Sequence, residues 1–518
     1  MAIQLPPGLD EPTWTRALSA FEGVVGSDGV LSSDLDRENY KDMYAPAQTT
    51  THLPSATVVP ASVEELQDIV RLANEYKTPL WTVARGKNLG YGSSAPVMSG
   101  SVVLDLSRMK RIIDVDPKQA SCLVEPGVGF FDLYNYLEEN KIPLWMSIPS
   151  QAWGSVVGNA LDRGSGYTPY GEHSSQICGM EVVLPTGELV RTGSGAMSNN
   201  KSWQNFRNGF GPGWDQMFCQ SNFGVVSKMG LWMMPAPEST LTIKYDLQKP
   251  EDIIWALDVL ADLRLRRIID SHVTIGTPIR TASLFSQRSD WYDGDDAIPE
   301  DVVQKMMKDL DVGYWTFSIR LFGYEDVLKL HGEMIKSAFN KHSQPPTSET
   351  WWYEGEELPK FSVNVPTTYF LKVANWLGGR GAHTDFSPTL PLDGQAAYDQ
   401  YVRVKRQYDK HNIDLYFGFT LAERYITNVN MVIYDRDNPA MFQRATALFD
   451  DLTKEAKEAG YGSYRTHLDF MDDISATYDF NDNALLKINE QVKDTLDPNG
   501  ILAPGKSGIW PKRYRENG

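Results

Sequence analysis

Residues 83–96, VARGKNLGYGSSAP, follow an apolar run and place Gly86, Gly90 and Gly92 within seven residues. Glycines at that density adopt left-handed φ values without steric cost and let several backbone N–H groups converge on one spot. Such a loop is either a plain Gly-rich turn or an anion cradle able to hold a diphosphate with few cationic side chains. Its G-x-x-x-G-x-G spacing matches neither the P-loop nor the dinucleotide fingerprint.

Outward from this loop, the chain alternates strand and helix. Ala56–Val59 and Pro79–Ala84 read as strands flanking an amphipathic helix that runs to about Lys77, opened by Ser62 with Glu65 three residues on, a capping-box spacing. Ser101–Leu106 and Ala120–Val124 read as further strands and Phe130–Glu139 as a helix. A second Gly-rich region, residues 154–171, reads GSVVGNALDRGSGYTPYG. It is followed by a hairpin, Met180–Leu184 and Glu188–Thr192, turning at Pro185-Thr186-Gly187. The pattern predicts an α+β fold with helices packed on mixed sheet. Pro235-Ala236-Pro237 marks an expected boundary, giving a domain over 1–237 and a second α/β domain over 238–460. A segment over 461–518, ending in the apolar ILAPGKSGIWP, is expected to return to the first domain.

The 518 residues carry 49 Lys+Arg against 67 Asp+Glu, a formal net charge of −18. That balance disfavours a nucleic-acid or anionic-membrane partner and leaves a small molecule as the expected ligand. Cys122, Cys178 and Cys219 show no metal-ligand spacing, so no metal is expected, and buried thiols in a reducing, cytoplasmic setting are the economical reading. The N-terminus has no basic region leading into an apolar core, and no run is long enough to span a bilayer.

Six segments in order, GKNLGYGSSAP, GSVVGNALDRGSGYTPYGEH, QSNFGVVSKMG, GGRGAHTDFSP, SYRTHLDFMDD and LDPNGILAPGKSGIWP, resemble the vanillyl-alcohol oxidase and eugenol oxidase family of FAD-dependent flavoproteins. The resemblance implies a two-domain FAD-binding fold with an α/β cap domain over the flavin ring. It implies oxidation of para-substituted phenols by hydride transfer through a quinone methide, with O2 as acceptor, H2O2 as product and a homo-oligomeric, dimeric or larger, assembly. Arg85, Gly86, Lys87, Asn88, Leu89, Gly90 and Tyr91 would line the FAD, as would Gly158, Asn159, Gly164, Gly166, Tyr167, Gly224 and Val226. His383 stands where the family links flavin covalently, and His52 is a candidate to deprotonate it, with a plain loop role as the alternative. Tyr91, Tyr464 and Arg465 match the family's phenolate-binding triad, and Arg465 would also contact the cofactor.

Departures from the family pattern carry equal weight. Where family oxidases have an aspartate beside the flavin, this chain has Ser150, and the family's paired histidines are replaced by Thr427 and Asn428. Acid instead stands at Asp385, two residues past His383, and at Glu423. Either could replace the missing base, Asp385 first and Glu423 second, or could turn outward or pair with Arg424. A 4-cresol-methylhydroxylase-like dehydrogenase that passes electrons to a cytochrome, and a catalytically silent flavin-binding protein, are the rival readings.

Overall fold

The computed structural model describes residues 4–515 apart from 47, 360 and 361. Three larger sheets organise it, beside a two-stranded one that pairs Leu144–Trp145 with Met234–Pro235. The first, in spatial order, joins Val30–Leu31, Thr57–Val58, Val102–Asp105 and Leu80–Val83, the last three mutually parallel. The expected helix occupies Val63–Tyr76 and buries Leu66, Ile69, Val70 and Ala73. Only half of its expected capping box forms. Ser62 Oγ accepts from the Glu65 amide at 3.2 Å, but the Glu65 carboxylate reaches one residue further back, to the Ala61 amide at 2.7 Å.

The second sheet is antiparallel and runs Ile112–Asp116, Ser121–Val124, Val225–Trp232, Ile177–Val183, Leu189–Arg191. Phe130, Leu133 and Leu137 of the helix Phe130–Glu139 share its core with Val156, Val157 and Ala160. All three cysteines are free and buried. Burial pushes the thiols of Cys122 and Cys219 up to about 12, so they stay protonated and behave as small apolar side chains.

The third sheet has eight strands drawn from 239–435, with Tyr416–Leu421, Tyr425–Asp435 and Gly381–Phe386 adjacent in that order. The largest core lies under its helical layer, where Trp315, Phe317, Tyr401 and Phe419 pack together. Every residue of Gly381–Phe386 is buried. Side chains alternate across a strand, so Ala382 and Phe386 enter that core while His383 and Asp385 face the other way. Among the described residues, no helix is long and apolar enough to cross a membrane.

The C-terminal stretch returns to the first sheet. The Leu80 amide donates to the Ile501 carbonyl at 2.6 Å and the Ala503 amide to that of Leu80 at 2.7 Å. Lys493, fully buried, holds this return together: its ammonium donates to Asp497 Oδ2 and to the carbonyls of Asn222 and Leu502, each at 2.7 Å. Asp497 in turn accepts the amides of Ile501 and Leu502. Removing one member of a buried ion pair leaves an uncompensated charge. Lys493→Met is therefore expected to destabilise the protein by about 3–5 kcal/mol, read as a lower urea midpoint; an unchanged midpoint would show that the pair does not secure the C-terminal return.

Candidate active site

The Gly-rich loop ends the strand Leu80–Val83 and forms one wall of a cavity of about 370 Å³, within the range of small-molecule sites. Gly86, Gly90 and Gly92 all have positive φ, at 63°, 81° and 104°. A Cβ on Gly86 would fall 1.9 Å from Ser94 Oγ, one on Gly90 2.8 Å from His383 Cε1, and one on Gly92 1.9 Å from Leu468 Cδ2. The loop closes on itself through the amides of Tyr91 and Ser93, which donate to the Asn88 carbonyl. Among the described residues, no protein acceptor takes the amides of residues 86 to 90. Such consecutive free N–H groups suit an anion. Arg85 also lines the cavity, but its guanidinium is committed to Asp132 at 2.6 Å and to the Gly127 carbonyl.

Opposite the loop, the strand Gly381–Phe386 presents His383 and Asp385 to the cavity, with His383 Nδ1 2.7 Å from Asp385 Oδ1. Tyr44 packs edge-on against the imidazole at 5.0 Å. Bridging of Pro388 with Ser463 brings the C-terminal segment alongside, so that the Tyr464 amide donates to the Ser387 carbonyl at 3.3 Å. Tyr464 and Arg465 thereby reach the cavity occupied by Tyr91, and the Arg465 guanidinium lies 3.9 Å over the Tyr91 ring. It also donates to Asn88 Oδ1, while its Nε has no acceptor among the described residues.

Burial, then the charge of Asp385, holds the Tyr91 hydroxyl well above the usual phenol range against the pull of Arg465. Burial likewise raises Tyr464. Burial alone would lower Arg465, but Tyr91, Asp162, Tyr464 and Asp385 together keep it above its usual value. Both tyrosines are thus neutral donors at neutral pH, and the guanidinium stays charged.

Most of the sequence-predicted residues meet at this one cavity: Arg85, Gly86, Lys87, Asn88, Leu89, Tyr91, Ser150, Gly158, Asn159, Gly164, Tyr167, Gly224, Val226, His383, Asp385, Tyr464 and Arg465 all line it. Ser150 is hydrogen-bonded to the Tyr167 hydroxyl. Four expected residues stand elsewhere. Glu423 is exposed in the short connection between two strands and does not face the cavity. His52 is held by the carbonyls of Pro96 and Val97 on Nδ1 and by Asp469 on Nε2, so it does not reach His383. Gly166 packs behind the wall, where a Cβ would strike Ser147 Oγ at 2.2 Å. Gly90 lies beneath His383, admitting the imidazole without lining the space. Asn428 is buried in a network with Gln400 and Asn430, away from the cavity. Sequence reasoning assigned nothing to Arg280, Tyr416, Asp162 or Lys506, all of which line the cavity. The Lys506–Asp162 pair, at 2.8 Å, sat inside motif segments already singled out, so a reading of charges within those motifs could have found it.

The residues fit a bound FAD. The free amides of 86–90 supply a diphosphate cradle, and the close approaches at Gly86, Gly90 and Gly158, where a Cβ would meet Ala84 at 3.3 Å, leave room only for backbone. Comparison with known proteins agrees. Residues 54–193 match the model of an FAD binding domain and 363–507 that of the FAD linked oxidases, C-terminal domain. The 4-cresol dehydrogenase [hydroxylating] flavoprotein subunit of Pseudomonas putida is 35% identical over 515 residues, 98% of this chain and 97% of that protein. The 1'-carboxy-chondrochloren decarboxylase of Chondromyces crocatus is 28% identical over 96% of this chain and 98% of its own. The structure of 4-ethylphenol oxidase from Gulosibacter chungangensis in complex with isoeugenol superposes with a TM-score of 0.93 at 31% identity, covering 98% of this chain and 99% of the other. The chain belongs to the vanillyl-alcohol oxidase family of FAD-dependent oxidoreductases.

Proposed function

We propose that this enzyme oxidises para-substituted phenols, namely 4-hydroxybenzyl alcohols and 4-alkyl- or 4-allylphenols, and returns the electrons to O2 as hydrogen peroxide. The convergence of Tyr91, Tyr464 and Arg465 on one end of the cavity carries this reading. Two neutral hydroxyls and a guanidinium offer several donors to a single oxygen, which favours the phenolate over the phenol. The unsatisfied Arg465 Nε is a buried donor for which a phenolate oxygen is a fitting acceptor. Bound FAD supplies the hydride acceptor. The phenolate drives electron density toward the para position, so loss of hydride from the benzylic carbon leaves a neutral quinone methide. The domain over 238–460, whose strand Gly381–Phe386 carries His383 and Asp385, would then act as the cap. The printed name of the Pseudomonas putida relative, a dehydrogenase subunit, favours a second reading in which another protein accepts the electrons.

In the first expected outcome, 4-hydroxybenzyl alcohol is oxidised with stoichiometric peroxide, whereas its 4-methoxy analogue, unable to form a phenolate, reacts at least about 100-fold more slowly. Comparable turnover of the methyl ether would overturn the triad assignment, and turnover only with an added acceptor protein would favour the dehydrogenase reading.

His383 is proposed as the site of covalent flavin attachment. With Asp385 ionised, its carboxylate can only accept, so Nδ1 carries the proton and the Nε2 lone pair is free to form the bond. Acid precipitation of wild-type protein should leave yellow colour in the pellet, and His383→Ala should release it to the supernatant. Colour released by both proteins would refute the link.

Asp385 is also proposed as the base that replaces the family aspartate lost at Ser150. After hydride loss, it would take the proton of the benzylic alcohol or activate the water that adds to the quinone methide. General-base contributions of about 10²–10⁴-fold set the scale. Asp385→Asn is expected to slow turnover by at least about 100-fold, Ser150→Ala far less, and 4-ethylphenol should give the alcohol enantiomer opposite to that formed by relatives retaining the aspartate. Full activity of Asp385→Asn, or the usual handedness, would exclude the relocated base.

A further inference from the structure

The cavity has a second polar end that phenol oxidation does not use. Arg280 lies on the short helix Pro278–Ala282 and lines the cavity together with Tyr416. Its side chain runs over a floor cleared by two glycines that face each other in paired strands, Gly276 and Gly418. A Cβ on Gly276 would come 2.8 Å from Arg280 Cδ, and one on Gly418 would come 3.3 Å from Nη1. Either would disturb the side chain, so the trough is built for it. Among the described residues, no carboxylate forms an ion pair with Arg280; its Nη1 makes only a long contact, 3.4 Å, with the Ile275 carbonyl. Beside it, the Tyr416 side chain is 1% exposed, and its hydroxyl makes no close hydrogen bond among the described residues but stands near enough to Arg280 to interact with the guanidinium. Burial pushes that hydroxyl up to about 12 while the Arg280 charge pulls it back, so it is a neutral donor held in the field of a cation.

Asp385, an acid of the same lining, forms no ion pair with Arg280: its Oδ1 is engaged by His383 and it lies across the sheet, although its charge still reaches Tyr416. Asp385 pairs with Met431 and Met431 with Tyr416, so the three form a row over adjacent strands and all line the cavity. Two strand spacings separate the ends of that row by about 10 Å. Asp385 stands beside Tyr91 of the triad and Tyr416 beside Arg280, so the row gives the scale of a hydroxyphenyl ring with a short side chain between the two ends.

We propose that Arg280 and Tyr416 form a carboxylate subsite, so that the enzyme's substrate class is a para-hydroxyphenyl compound whose side chain ends in a carboxylate. The assignment rests on the phenol-binding reading of the triad for its orientation. A guanidinium and an adjacent hydroxyl present fork-like donors that match a carboxylate, and a cation with no carboxylate partner beside a buried hydroxyl that makes no close hydrogen bond is costly unless a ligand satisfies both. The name of the Chondromyces crocatus relative likewise specifies a carboxylated compound as its substrate.

Binding of 4-hydroxycinnamate and of its neutral methyl ester tests the subsite. Neither carries an sp³ benzylic C–H, so dissociation constants can be read from perturbation of the flavin absorbance without turnover. Wild-type enzyme is expected to bind the acid at least about 10-fold tighter than the ester. Arg280→Gln should abolish that preference, a loss of at least about 10-fold, and Arg280→Lys should retain part of it; flavin content of each variant confirms that it folds. A wild-type preference for the ester, or an Arg280→Gln variant that weakens both ligands equally and so points to a cation serving the flavin instead, would overturn the proposal. Replacing the 4-hydroxyl by 4-methoxy in the acid reads the other end separately. Undiminished binding of the methoxy acid with the acid preference intact would sink the phenol reading and leave the carboxylate subsite standing.

Discussion

Close approach of the backbone at three glycines is the constraint on which the rest of the site depends. Gly86 admits Ser94, Gly90 admits His383 and Gly92 admits Leu468, each at a distance that a Cβ would occupy. These neighbours come from the loop itself, from the eight-stranded sheet and from the C-terminal segment. One loop therefore sets the distance between three separate parts of the chain. All three glycines are also held at positive φ, so an alanine at any of them would meet both backbone strain and a clash. The same conformation leaves five consecutive amides without protein acceptors among the described residues, which links the packing of the molecule to its capacity to hold a diphosphate.

Around that loop, charge is set by burial and pairing together. Asp162, half-buried, is held below the usual carboxylate range because Lys506 and Arg465 face it. Arg465 in turn stays charged because Tyr91, Asp162, Tyr464 and Asp385 surround it. The two tyrosines pay no such cost, since burial keeps them neutral. The result is a water-poor end of the cavity in which one fixed positive charge and two hydroxyl donors are oriented before any ligand arrives, the arrangement in which hydrogen bonds to a developing anion are strongest.

The α+β layering was legible in the sequence where periodicity was strong, as in Val63–Tyr76 and Phe130–Glu139, because one buried stripe leaves a clear pattern. His383 and Asp385 were legible as a pair on one face, since strand alternation alone puts residues two apart on the same side. Glu423 misled because it stands between two strands, and alignment by position cannot tell a wall residue from the exposed turn that follows it. His52 misled for a different reason: its partners Pro96, Val97 and Asp469 lie 44 to 417 residues away in sequence, and no local pattern encodes them. Arg280 and Tyr416 were invisible for the same reason, because what makes them neighbours is the register of Val273–Gly276 against Tyr416–Leu421. Local propensity fixes elements, whereas sites assembled by pairing of distant strands require the register itself.

That register explains how one backbone can carry different chemistries. The wall facing the cofactor is built from paired strands whose spacing is set by backbone hydrogen bonds, so a side chain exchanged on it changes chemistry without moving its neighbours. A TM-score of 0.93 at only 31% identity to 4-ethylphenol oxidase is the outcome expected of such a wall. Here, acid is absent at Ser150, where the hydroxyl instead bonds Tyr167, and present at Asp385 on the opposite strand wall. Ser150 brings no charge to the cavity, and among the described residues no carboxylate pairs with the Arg280 cation that lines the same space. Under the proposed roles, Asp385 as base and Arg280 as anion holder stand at opposite ends of one row of paired strands, so the position of the base and the charge of the ligand would be set together by side chains on that sheet.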